Sequence, residues 1–271
     1  MKLTNTLRKL SFAAGVAGSL LLAGAAAAAD LEKLHFLIPG GAGGGWDSTA
    51  RGTGEALTKA GIVGTASYEN MSGGGGGKAI GYLIENAASN SDTLLVQSTP
   101  IIIRSLVGRF PYNFQDLTMI AGTIGDYAAF VVHKDSSIGS FKELVEVFKA
   151  DPGSVAIGGG SVPGSMDHLV AAMAVEASGA DPTKLKYIPY DAGGKAMAAL
   201  LSGEIKALST GFSEAVAMAN ADEVRIIGVT APMRVDAFKD APTLKEQGFD
   251  VEFVNWRGFF AAPGLPEAQA Q

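Results

Sequence analysis

The run Leu34-His35-Phe36-Leu37-Ile38-Pro39-Gly40-Gly41-Ala42-Gly43-Gly44-Gly45-Trp46-Asp47-Ser48-Thr49-Ala50-Arg51 constrains this chain more than any other stretch. Residues 34–38 are mostly apolar, as a short strand covered on both faces should be. Asp47 stands where a helix N-cap belongs, and Ala50, Thr53, Leu57 and Ala60 fall on the inner side of the helix expected next. The unit reads strand, glycine loop, helix. Glycines expose several backbone N–H groups toward one point, and a helix start adds partial positive charge there, so the point suits an anion. In an open α/β sheet such a loop lies at the carboxyl end of its strand, where ligands bind.

The same unit recurs. Residues 65–69 read as a second strand running into Asn70-Met71-Ser72-Gly73-Gly74-Gly75-Gly76-Gly77-Lys78, with a helix from about Ala79. Residues 94–98 read as a third strand ending at Ser98-Thr99-Pro100. Three such units argue a doubly wound α/β domain. Residues 128–133 read as another strand and as the crossing into a second domain. Ser140 and Glu143 form a capping box, after which Phe141, Leu144, Val145 and Phe148 recur at helical spacing. Residues 155–157 form a strand entering a third glycine loop, 158–165, with Ser165 or Asp167 as the next cap and Leu169, Val170, Met173 and Ala177 facing inward. Strands at 186–189 and 207–210 end at Tyr190-Asp191-Ala192-Gly193-Gly194 and Ser209-Thr210-Gly211, with a helix marked by Met197, Leu200 and Leu201 between them. Residues 224–230 make a β-branched strand and the return crossing, 243–247 a short helix stopped by Gly248, and 251–262 one or two strands. Two similar lobes, their loops facing across a cleft, account for the pattern.

Composition narrows the class. Hydrophobic residues make up 47% and charged residues 18% of the 271, which supports a sizeable core and argues against disorder. Lys2, Arg8 and Lys9, then the apolar run 10–23 and Ala27-Ala28-Ala29, form a secretory signal peptide, with the mature chain expected from Asp30. Losing those three basic residues and no acid takes the net charge from -6 to -9, a poor match to nucleic acid. An anionic ligand would have to be held by local dipoles against the global field. There is no cysteine, hence no disulfide, thiolate metal site, lipid-bearing Cys or Cys nucleophile. The picture these features give is a soluble, exported protein.

Catalytic signatures fail on detail. A Walker loop requires Gly, four residues, Gly-Lys, then Ser or Thr; around Gly77-Lys78 the outer positions are Ser72 and Ala79. The loop at 43–45 lacks the spaced glycines and distal acid of a dinucleotide fingerprint. A nucleophile elbow requires Gly-x-Ser-x-Gly, and Pro163 occupies the last position after Ser161. His168 reads as a capping or packing residue, and Ser161 and Ser165 as donors to an anion. His35, His133 and His168 lie far apart, with no carboxylate pair at ligand spacing, so no metal is expected. Trp46 is either a wall of the site or core, and Arg51 either reaches the ligand or is a surface residue. No cofactor is implied, and binding is better supported than catalysis.

The residues also resemble a known family. Phe36-Leu37-Ile38-Pro39…Gly43-Gly44-Gly45-Trp46-Asp47…Ala50-Arg51 is similar to the first motif of the tripartite tricarboxylate transporter receptors, the TctC or Bug family of periplasmic solute-binding proteins. Glu69-Asn70…Gly73-Gly74-Gly75-Gly76…Gly81 resembles the second motif, and Gly164-Ser165-Met166-Asp167-His168-Leu169 and Tyr190-Asp191-Ala192-Gly193-Gly194…Leu200-Leu201-Ser202-Gly203 resemble those of the second lobe. Trp46 resembles the tricarboxylate-type branch. The match covers about residues 34–265.

The resemblance implies a type II periplasmic binding fold: two doubly wound α/β lobes joined by two crossovers with a cleft between them. Lobe 1 is expected at 30–127 and 231–271, lobe 2 at 128–230, and the signal peptide at 1–29. It implies a monomeric receptor for a small di- or tricarboxylate, citrate-like, handed to a membrane permease of one large and one small subunit. Carried over, Gly43, Gly44, Gly45, Trp46 and Asp47 hold one carboxylate, and Ser72, Gly73, Gly74, Gly75, Ser98, Thr99, Ser161, Gly164, Ser165, Tyr190 and Thr210 line the rest. The family continues by some tens of residues into helices that close on lobe 1, so exposed apolar surface is expected there. Two alternatives are a binding protein that presents its ligand to a sensor kinase and a periplasmic hydrolase.

Overall fold

The computed structural model describes residues 31–108, 110–266 and 270; the expected signal peptide at 1–29 lies outside them. Among the described residues no helix is long and apolar enough to cross a membrane.

Strand β1 (Leu31–Ile38) leads through the first glycine loop into helix α1 (Gly45–Lys59), then β2 (Val63–Asn70), α2 (Gly77–Glu85), β3 (Thr93–Ser98) and α3 (Thr99–Val107). The long β4 (Thr118–His133) follows, then α4 (Phe141–Ala150), β5 (Ala156–Gly159) and α5 (Met166–Ala177). After these come β6 (Lys186–Pro189), α6 (Gly193–Leu201), β7 (Ala207–Gly211), α7 (Phe212–Asn220), β8 (Val224–Val229) and β9 (Val254–Ala261). The strand order is β2-β1-β3-β9-β4-β7-β5-β6, with β8 pairing β4. The β1 pairings with β2 and β3 are parallel, as are those of β5 with β6 and β7. Strand β9 runs against β3, and β4 runs against both β9 and β7. Two parallel half-sheets are thus stitched together by an antiparallel middle.

The strand β4 does the joining. Its residues Thr118–Tyr127 pair β9 in the first half, while Ala128–Val131 pair β7 in the second. Sequence reading placed this strand only at 128–133. Its first half escaped notice because that stretch is glycine-containing and largely exposed, without the buried run that marks a covered strand.

Each half-sheet buries a core on both faces. Leu37, Ile80, Leu83 and Leu95 pack on one face of the first and Phe36, Ile38, Ala50 and Val96 on the other. In the second, Phe130, Phe141, Val170 and Phe249 lie on one face and Val131, Leu200, Leu208 and Ile226 on the other. The chain returns later than the boundary read at 231. Leu244, Phe249 and Val251 pack with Phe130 and Phe141, and the first half is rejoined only at β9.

Several local expectations change. On α1 only Ala50 of the four inner positions is fully buried; Gly54 lets the helix approach so closely that an added Cβ would lie 2.8 Å from Phe36 Cε2. On α5 the buried stripe is Met166, Val170, Ala171, Ala174 and Val175, whereas Leu169, Met173 and Ala177 face out. Alanines at 171 and 174 bring this helix down on the sheet along a line the larger residues do not follow. The Ser140 hydroxyl accepts from Glu143 N at 3.1 Å, but Glu143 answers Gly139 N, one residue before the cap. The helix expected at 243–247 is a single 3-10 turn, Lys245–Gln247. The stretch 251–262 holds one strand. Exposed apolar side chains do lie on the first half, among them Leu106, Val107, Met119 and Ile124.

Candidate binding cleft

All the parallel strands point their carboxyl ends into one cleft between the half-sheets. The inner part is bounded by Gly44, Gly45, Trp46 and Ser98 from the first half and by Ser161, Asp167, Gly193 and Glu214 from the second. Asn255 and Arg257 of β9 form its floor. The outer part is lined by Ser72–Gly76, Ser161, Val162, Ser165, Tyr190 and Asp191.

The two walls touch. The Ser72 hydroxyl donates to Asp191 Oδ1, whose other oxygen lies 3.4 Å from Lys195 Nζ. A Cβ on Gly41 would stand 2.9 Å from the Asp191 carbonyl oxygen, and one on Gly44 2.9 Å from Ala192 Cβ. Bare backbone is what lets the lobes meet here. Ala192 itself has φ 78 and ψ 161, a region that is almost glycine-only, so the cleft wall stores strain.

The glycine triplet is the N-terminal edge of α1. Gly44 is the N-cap, and Asp47 sits inside the first turn, not at the cap. Its Oδ2 accepts from Gly43 N at 3.1 Å, and its Oδ1 accepts from Arg51 Nε at 2.9 Å and from Asn70 Nδ2 at 3.1 Å. Burial acts to raise the Asp47 pKa, yet the bonds from Gly43, Asn70 and Arg51 bring it below the usual carboxylate value. The amide of Gly43 and the side chains of Asp47 and Arg51 therefore brace the loop. Among the described residues no acceptor takes the N–H groups of Gly44, Gly45 or Trp46. Trp46 donates from Nε1 to Ser98 Oγ at 2.8 Å, and its ring lies against Gly40 and Gly76, which makes it a wall of the cleft.

The other expected residues divide. Gly44, Gly45, Trp46, Ser98 and Ser161 meet at the inner part, and Ser72, Gly73, Gly74, Gly75, Ser165 and Tyr190 at the outer. Gly43, Asp47, Thr99, Gly164 and Thr210 line neither. Thr99 N donates to Asn255 Oδ1, Gly164 N to His168 Nδ1, and Thr210 Oγ1 to Glu214 Oε2. Ser165 is the N-cap residue of α5, as expected, but the side-chain bond to the helix start comes from Ser161, whose hydroxyl accepts from Asp167 N at 3.0 Å and lies 3.3 Å from the Tyr187 hydroxyl. The His168 ring accepts from Gly164 and stacks on Tyr187, so Ser161 and His168 are each engaged elsewhere. Burial holds His168 below its ordinary pKa.

Sequence reading missed the charged floor. Arg257 Nη2 lies 3.0 Å from Asp126 Oδ2, and Arg257 Nη1 donates to Gly45 O at 3.3 Å. Asp126 accepts from Ser213 N and Oγ. Glu214 accepts from Gly211 N at 3.1 Å as well as from Thr210. Asp167 is buried, and its Oδ1 meets no partner among the described residues. Burial first, then the Glu214 charge, push its pKa up to about 7; bonds from Ser161 and Gly160 and the Arg257 charge pull the other way. These four charged residues come from distant parts of the chain, and Asp126, Glu214 and Arg257 carry no motif. The one available signal was Asp167, which stands inside a quoted motif but reads there as a cap.

A family model described as the tripartite tricarboxylate transporter family receptor matches residues 49–271. A relative from Agrobacterium vitis, named a UPF0065 protein in the TAR-I ttuE-ttuC' intergenic region, is 26% identical over 238 residues, covering 87% of this chain and 67% of its own length. The structure of MatC from Rhodopseudomonas palustris with bound malate is similar with a TM-score of 0.78 at 21% identity, covering 88% of this chain and 81% of that one. The periplasmic binding protein BugD is similar with a TM-score of 0.77 at 24% identity, covering 88% and 79%. At these identities the two solved structures speak for the fold alone.

Proposed function

The chain belongs to the tripartite tricarboxylate transporter receptor family, whose members are periplasmic solute-binding proteins, and from that premise we propose that it captures a small di- or tricarboxylate for delivery to a membrane permease. The observation that carries this reading is the set of N–H groups of Gly44, Gly45 and Trp46, without acceptors among the described residues, on residues that line the cleft at the start of α1. One ligand carboxylate lies on those amides, with the Ser98 and Ser161 hydroxyls beside it. The remainder of a longer acid extends toward Ser72–Gly75, Ser165 and Tyr190. Charge-assisted bonds to backbone amides are about twice as strong as neutral ones, so two carboxylates reach micromolar affinity, about -8 kcal/mol.

The lobes we propose are the two half-sheets with their helices, hinged where β4 passes from β9 to β7 and where the chain re-enters β9. Ligand drives the closed form, which the permease of one large and one small subunit then recognises. The bound protein with malate among the similar structures is consistent with an organic acid. A thermal-shift panel of organic acids on the full-length secreted protein tests the reading. A ligand at a hundred times its Kd should add about 2.7 kcal/mol of stability. No shift with any acid would overturn it.

A further inference from the structure

The inner end of the cleft carries more acid than an anion site should. Asp167 is 5% exposed, lines the inner cavity, and leaves Oδ1 without a partner among the described residues. Around it stand Glu214 from the start of α7, the Tyr187 hydroxyl from β6, and the Arg257 guanidinium from β9. His168 follows it on α5, with its ring stacked on Tyr187. Arg257 is already engaged by Asp126 of β4. Three buried or half-buried carboxyls thus face one guanidinium. The amides of Gly44 and Gly45 lie on the same cavity. A bare ligand carboxylate resting on them shares this cavity with Asp167 and Glu214, and like charges in one partly buried site raise each other's proton affinity.

We propose that Asp167 determines specificity at this inner end by sharing one proton with a carboxylate of the ligand, so that an organic acid is bound together with a proton. The inference rests on the receptor reading above. The shared proton gives Oδ1 its missing hydrogen-bond partner and removes one of the two facing charges. Above neutral pH the proton comes from solvent on binding and returns to solvent on release; no other bond changes. The raised proton affinity of Asp167, caused by burial and by Glu214, is the same tendency before ligand arrives. The pairing also excludes ligands whose inner end is an apolar group, since that supplies no hydrogen bond.

The test uses isothermal calorimetry on the full-length secreted protein with L-malate, adipate and citrate as probes, at pH 8.5, in two buffers of different ionisation heat. The expected result for the wild type is uptake of close to one proton per ligand and an approximately tenfold weaker Kd for each pH unit above neutrality. Asp167→Asn should take up none and change less than twofold over the same range. Wild-type binding without uptake, or uptake retained in Asp167→Asn, overturns the assignment while leaving the receptor reading intact. Failure of every acid to bind overturns both. If Asp167→Asn folds but does not bind, Glu214→Gln decides. Removing that charge lowers the proton affinity of Asp167, so the pH at which affinity begins to fall must move down; an unmoved midpoint overturns the proposal.

Discussion

Arg257 Nη2 and Asp126 Oδ2 lie 3.0 Å apart, with both residues at most 5% exposed, at the point where the two half-sheets meet. From this pair Arg257 reaches the Gly45 carbonyl of α1, and Asp126 reaches the amide and hydroxyl of Ser213 in α7. One ion pair on the two joining strands therefore ties α1 of the first half to α7 of the second. Replacing Arg257 by Met leaves a buried carboxylate with only Ser213 for company, and breaking a buried pair in this way costs about 3–5 kcal/mol. Denaturant titration should show that loss. The double variant Asp126→Asn with Arg257→Met should cost clearly less than the sum of the two single changes, because neither charge is then left alone.

Closure depends on bare backbone at Gly41. An alanine Cβ there would stand 2.9 Å from the Asp191 carbonyl oxygen across the cleft. Gly41→Ala is expected to keep stability within about 0.5 kcal/mol, as a change away from either core. The affinity for any organic acid should fall more than tenfold. Small-angle scattering with ligand should show a more open particle than the wild type.

Ala192 is strained where a glycine would not be. Its φ of 78 with ψ of 161 is a conformation whose cost for an L-residue is about 1–3 kcal/mol. Ala192→Gly should raise the midpoint of thermal unfolding, because relief of that strain outweighs the added freedom of the unfolded chain. An unchanged or lower midpoint would mean that the Ala192 methyl packs well enough to offset it.

The pH dependence of stability has a definite sign. The Asp167 pKa is raised in the folded state, from an ordinary 3.8 to about 7, so the folded protein holds a proton that the unfolded chain releases. Its contribution is fully present below pH 4 and is lost as pH rises through about 7. Asp47 acts oppositely, because its pKa is lowered and its contribution is lost on acidification. Asp167→Asn should flatten the decline between pH 5 and 7.5 and leave the acid limb unchanged. Stability measured by urea titration across this range checks both limbs.

Much of this protein was legible in its sequence because the informative signals are local. An apolar run, bare glycines and a helix start within twenty residues are enough to announce a strand, an anion-facing loop and a helix, and the order of such units announces two lobes. Residues 44–46 and 72–75 line the cleft for reasons written in their own neighbourhoods. What only the tertiary structure decided is which partners reach one another over long distances. Asp47 turned from cap to brace because Asn70 and Arg51 converge on it. Thr210 turned toward Glu214. Asp126, Asp167, Glu214 and Arg257 form one floor though they span 132 positions, from 126 to 257 counted inclusively. Periodicity reports which face of an element is dry, but a buried charge is placed by the element packed against it, and that neighbour is chosen by chain topology.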